Sequence, residues 1–115
     1  MNNEKYDDRG NLIYKKVSDI NKPYDVEHQY EYDKNNNMTL HIKSFEGIKW
    51  ITKKKYDENN RLIYVKDING EQNWYKYNKK NEQIEITKKE FKEIKLKKMI
   101  SKTLNMEVES SFPEL

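Results

Sequence analysis

The chain of 115 residues has no cysteine and no alanine, three glycines, two prolines, only Arg9 and Arg61 as arginines, and no long apolar run. Without cysteine, disulfide frameworks, thiolate nucleophiles and thiolate zinc sites are excluded. No glycine-rich phosphate loop occurs, and two arginines are few for bidentate reading of phosphate or guanine. Nothing approaches the length of a membrane span or a secretion signal, and the start, Met1-Asn2-Asn3-Glu4-Lys5, is polar. These features lead to the expectation of a cytoplasmic protein, bacterial or phage-encoded, with no membrane partner.

What is present is charge and aromatic rings. Charged residues make up 37% against 34% hydrophobic, a balance that favours disorder, but nine tyrosines and two tryptophans offset it because each ring buries a large area. The length fits one domain, 1–115. Lysine, asparagine, isoleucine and tyrosine abound while alanine is missing, a pattern of AT-rich coding that makes part of the lysine content background. The net charge of +3 is modest.

Four times a tyrosine is followed by Asp or Asn, a polar run and a β-forming stretch: Tyr6-Asp7, Tyr32-Asp33, Tyr56-Asp57 and Tyr77-Asn78. The fifth residue of each copy is Gly10, Asn36, Asn60 or Asn81, the residue types that best tolerate the left-handed conformation of a tight turn. The tyrosines lie 26, 24 and 21 residues apart, room for two strands and two turns each. The spacing therefore predicts a mainly β protein, an antiparallel β-meander of about seven strands: 11–18, 26–32, 38–44, 48–56, 61–66, 72–77 and 83–87. Asn69-Gly70 is the strongest short hairpin signal. In the fourth copy the apolar residues Ile84 and Ile86 fall in the opposite phase relative to the tyrosine, which suggests that a covering element changes the buried side.

Thr87-Lys88-Lys89-Glu90 fits a capping box. It predicts a C-terminal basic α-helix over 88–105, with a flexible tail over 106–115. The alternative is an eighth strand carrying Ile94 and Leu96.

Two stretches, Tyr6-Asp7-Asp8-Arg9-Gly10-Asn11-Leu12-Ile13-Tyr14 and Tyr56-Asp57-Glu58-Asn59-Asn60-Arg61-Leu62-Ile63-Tyr64, resemble the YD repeat of RHS and teneurin-type proteins. The resemblance covers 6–87. In that family many copies form a shell around a toxin, and four copies are too few to enclose anything. Small free-standing chains with such repeats look like accessory proteins of bacterial conflict systems, such as immunity proteins or phage inhibitors of nucleases. The repeat carries no catalytic residues.

His28 and His41, the only histidines, lack the further ligands a metal site needs. Asp67, Asn69, Gly70 and Glu71 lack the remaining ligands of a calcium loop, and Asp7, Asp33 and Asp57 recur at turn positions where Asp bonds backbone amides. The serines have no spaced His and acidic partners. No enzyme, cofactor or metal is expected. Binding candidates are the aromatics Tyr30, Trp50, Trp74 and Tyr75, the run Lys53, Lys54 and Lys55, and a helix face of Lys88, Lys92, Lys95, Lys98 and Lys102. The function expected is a non-catalytic inhibitor or immunity-type protein that blocks a bacterial toxin or a CRISPR-type nuclease, as an anti-CRISPR does. The alternative is an RNA or single-stranded nucleic-acid binding module. Open sheet edges could also pair with a second copy, giving a homodimer.

Overall fold

A computed structural model describes residues 2–111, with side chains described for 3–104. Eight strands, β1 (Asn2–Tyr6), β2 (Leu12–Val17), β3 (Val26–Tyr32), β4 (Met38–Phe45), β5 (Ile48–Tyr56), β6 (Leu62–Lys66), β7 (Gln72–Tyr77) and β8 (Gln83–Ile86), precede one helix, α1 (Lys88–Ser111). Sheet order is chain order, so the fold is an antiparallel β-meander with a C-terminal helix. All seven expected strands are there, within one or two residues. The eighth, β1, is the polar stretch before Tyr6. It has no apolar alternation to announce it, and it pairs with β2 through its backbone. The chain divides into two compact units, 1–73 and 74–115.

One five-residue turn recurs in both units. In the first, Asp7, Asp33, Asp57 and Asp67 donate their backbone N–H to the carbonyls of Asn11, Asn37, Arg61 and Glu71, each at 2.9 Å. Each Asp also turns its carboxylate Oδ1 back to accept two backbone N–H groups, from Arg9 and Asn11, Asn35 and Asn37, Asn59 and Arg61, or Asn69 and Glu71. This side-chain mimicry of a backbone turn is why Asp recurs. The fourth residue of each turn has positive φ: Gly10 at 86°, Asn36 at 67°, Asn60 at 63° and Gly70 at 82°. Asp67 thus opens a further copy of the turn. Lys66 stands where the repeat has tyrosine, which hid it; Asn69-Gly70 belongs to this longer turn and not to a two-residue hairpin.

The three turns at 7–11, 33–37 and 57–61 are tied to one another. Asn11 Nδ2 donates to Asn36 Oδ1 at 2.9 Å and Asn37 Nδ2 to Asn60 Oδ1 at 2.8 Å, while Arg9 Nη1 reaches Asp33 O at 2.8 Å. The repeat tyrosine adds another tie, Tyr32 Oη donating to Leu12 O at 2.8 Å.

After each of these turns the returning strand carries one extra residue. Lys5 pairs with Tyr14 but Tyr6 with Leu12, skipping Ile13; Thr39 and Ile63 are skipped in the same way. These are β-bulges. The turn of the second unit, 78–82, keeps the hydrogen bonds, with Asn78 Oδ1 accepting Lys80 N and Glu82 N, but has no bulge: Tyr77 pairs with Gln83 and Lys76 with Ile84. That explains the phase of Ile84. The residue before the tyrosine faces Tyr14, Leu40, Tyr64 and Ile84 in the four copies, so deletion of one residue, and no covering element, moves the pattern.

In the second unit Thr87 Oγ1 caps α1 by accepting Glu90 N at 3.1 Å. The expected box is half made: the Glu90 carboxylate meets Lys76 Nζ at 2.9 Å instead. The residues from 88 onward are helical, not an eighth alternating strand, and the helix runs to Ser111, beyond the expected end at 105 and through the first part of the expected tail. Residues 112–115, with Pro113, lie outside the described residues. Only the start of α1 is partly covered, at Glu90, Phe91 and Ile94; Leu96, Met99, Ile100 and Leu104 are 50–59% exposed.

No described residue is buried. The first unit is held by ladders, cross-strand pairs and tied turns, and neither sheet face is sealed.

Candidate binding face

Directly opposed residues of an antiparallel pair point to the same side, so register assigns the faces of the first unit. Lys15 opposes His28, which opposes Lys43, which opposes Trp50; Val17 opposes Val26, Tyr30 opposes His41, His41 opposes Thr52, Phe45 opposes Ile48 and Lys54 opposes Val65. These residues share one face. The other carries Tyr14, Lys16, Glu27, Gln29, Leu40, Ile42, Lys49, Ile51, Lys53, Lys55, Tyr64 and Lys66.

The first face is aromatic. Tyr24, from the β2–β3 connection, stacks on Phe45 with centroids 4.9 Å apart, and Phe45 on Trp50 at 4.8 Å. A second cluster joins Tyr30, His41 and His28: Tyr30 stacks on His41 with centroids 4.7 Å apart, and His28 lies edge to edge with His41, centroids 5.2 Å apart and ring planes within 13°. Phe45 stacks on both Tyr24 and Trp50, and Tyr30 covers one side of His41.

Within this cluster His28 Nδ1 and His41 Nε2 are 2.9 Å apart, an in-plane hydrogen bond that needs one nitrogen protonated and the other bare. Both imidazoles are half-buried, and their pKa values are pushed below the ordinary range. Desolvation is the main cause; His41, Lys43 and Lys15 add repulsion at His28, and Lys43 and Lys54 at His41. The pair is therefore neutral at pH 7. Sequence spacing gave no sign of it. The signal lies in the hairpin register: with the 33–37 turn and the bulge at Thr39 both in place, Tyr30 opposes His41 and His28 lies diagonal to it. Among the described residues no group of three or more His, Cys, Asp or Glu could hold a metal ion.

Lys15, Lys43 and Lys54 surround the rings, and none forms an ion pair among the described residues. The one strand carboxylate on this side, Glu4 opposite Lys15 on edge strand β1, accepts a hydrogen bond from Tyr6 Oη. The opposite face differs. There Lys5 lies 5.3 Å from the centroid of Tyr14 and Lys55 5.4 Å from that of Tyr64, so two ammoniums cap two rings.

The residues expected to bind are thus divided. Tyr30, Trp50 and Lys54 share the aromatic face; Lys53 and Lys55 lie on the other. Trp74 and Tyr75 belong to the second unit on opposite sides of β7, opposing Ile86 and Glu85. Lys88, Lys92, Lys95, Lys98 and Lys102 are exposed on α1. Tyr24, His28, His41, Phe45, Lys15 and Lys43 join the face without having been singled out as binders.

The turn aspartates are structural. The backbone N–H of Asn11 holds the Asp7 carboxyl below its usual range and that of Asn37 does so for Asp33; for Asp57, partial burial pushes up but the bonds from Arg61 and Asn59 prevail. No described helix is long and apolar enough to cross a membrane. Compared with models of known families, with curated proteins and with solved structures, the chain finds no match.

Proposed function

We propose that this is a non-catalytic binding protein that acts by occupying a macromolecular target, most directly a protein. One observation carries the reading: a sheet with no buried residue among those described sets two aromatic stacks on an uncovered face. A surface of rings and valines gains most by being covered, and aromatic clusters of this kind anchor protein interfaces. The two histidines spend facing nitrogens on each other, and among the described residues no hydrogen bond links them to a nucleophile. The resemblance to YD repeats supplies the class of target, a bacterial toxin or a CRISPR-type nuclease, and the role of immunity-type protein or inhibitor. The test is a panel of such toxins and nucleases assayed with the protein in excess, with pull-down at moderate salt. If every activity persists and no protein is retained, the proposal fails.

The lysine face of α1 favours a second reading, binding of RNA or single-stranded DNA. Mobility shifts across a salt series separate the two, because contacts to phosphate alone weaken steeply as salt rises.

A further inference from the structure

We infer that the aromatic face of the first unit docks an acidic protein surface. This rests on the binding reading above and names the partner's chemistry. Lys15, Lys43 and Lys54 stand on three different strands around the rings, without ion-pair partners among the described residues, and the one strand carboxylate on that side lies at the edge. Apolar side chains, Val17, Val26, Ile48 and Val65, complete the surface. A partner that fits offers aliphatic or aromatic groups to the rings and valines, with carboxylates spaced to reach the ammoniums.

Two other occupants fit less well. Single-stranded nucleic acid is gripped by arginine as well as by rings, and this face carries no arginine, while its central ring Phe45 is stacked on both Tyr24 and Trp50. A second copy would bring the three lysines of one face against the same three of the other, with Glu4 as the one strand carboxylate to offset them. Charge therefore selects an acidic partner. The histidine pair sits among these ammoniums, so its protonation adds positive charge at the centre of the face and strengthens the attraction as pH falls below neutrality.

The test uses the full chain with Trp74→Phe, which leaves Trp50 as the sole indole, and a glutamate–tyrosine copolypeptide as the probe. Emission excited at 295 nm is expected to shift to the blue as Trp50 is covered. Lys15→Glu with Lys43→Glu and Lys54→Glu should weaken binding about tenfold, and the Gln triple variant should weaken it less. The control set on the other face, Lys49→Glu with Lys53→Glu and Lys66→Glu, should stay within about twofold of the parent. Circular dichroism verifies that each variant is folded, and the Gln set decides if the Glu set is not. Equal loss from both sets, or no response to the copolypeptide, overturns the inference. An equally strong response to oligo-dT overturns the acidic partner but keeps the binding face. A shift that appears on raising protein concentration alone assigns the face to a second copy.

Discussion

Removal of the Asp57 carboxylate tests the account of the turn. Oδ1 accepts Asn59 N at 2.9 Å and Arg61 N at 3.0 Å, and Oδ2 accepts Arg61 Nε at 2.8 Å, with the Asp57 side chain 12% exposed. Asp57→Ala removes all three. Two lost bonds to backbone amides that water replaces in part cost about 1 kcal/mol each, and the half-exposed ion pair adds roughly 0.5 kcal/mol, so about 2–3 kcal/mol is expected. Asp57→Asn keeps an oxygen for the two amides, as Asn78 already does in the second unit, and loses only the charge pair with Arg61. About 0.5 kcal/mol is expected for that change. The assay is urea denaturation at pH 7, followed by far-ultraviolet circular dichroism and tryptophan emission, with parent and both variants in parallel. The reasoning is refuted if Asp57→Asn costs as much as Asp57→Ala, since charge would then matter and backbone capping would not. It is refuted equally if Asp57→Ala leaves the urea midpoint unchanged.

Three further outcomes follow from the same geometry. Asn60→Ala should lower stability by about 1 kcal/mol because φ is positive there, whereas Asn60→Gly should lose only the hydrogen bond from Asn37; equal losses in thermal denaturation would discard the backbone explanation. Glu46, with φ of 50° in the two-residue turn before Gly47, is the wrong residue type for its conformation, so Glu46→Asn should stabilise by roughly 0.5–1 kcal/mol, and an unchanged midpoint counts against it. The His28–His41 pair should make stability depend on pH: both pKa values are depressed by folding, so the unfolded chain binds protons first and stability, full above the ordinary imidazole range, falls as pH drops through the depressed values. Over pH 7 to 5 the double variant His28→Gln with His41→Gln should show a flatter midpoint, and an equal slope in the variant would remove the pair as the cause.

Much of this architecture was legible because its punctuation is local. An Asp that bonds the amides two and four residues on, followed by a residue with positive φ, needs no distant partner, so Tyr-Asp spacing, with turn signals such as Asn69-Gly70 and the alternation of apolar residues, located seven strands. What escaped notice depends on neighbours. β1 is marked only by the turn that follows it, and the copy at Asp67 lost its tyrosine to Lys66. The phase of Ile84 was misattributed because a bulge is visible only in the pairing of two strands. The candidate site suffered most. Tyr30, Trp50 and Lys54 were named for their residue types, but faces are set by register, and register put Lys53 and Lys55 on the opposite side and brought His28 to His41. The helix outran its expected end because nothing between 105 and 111 breaks it; no glycine or proline stands there.

The tied turns carry a consequence for how the first unit comes apart. With no buried centre, each hairpin is secured only by its immediate neighbours, through Asn11 to Asn36 and Asn37 to Asn60. Such a lattice melts like a zipper, from its free margin inward, and not in one concerted step. Amide exchange should accordingly be fastest along β1 and slower at β3 and β4, which lie two and three strands in from that margin.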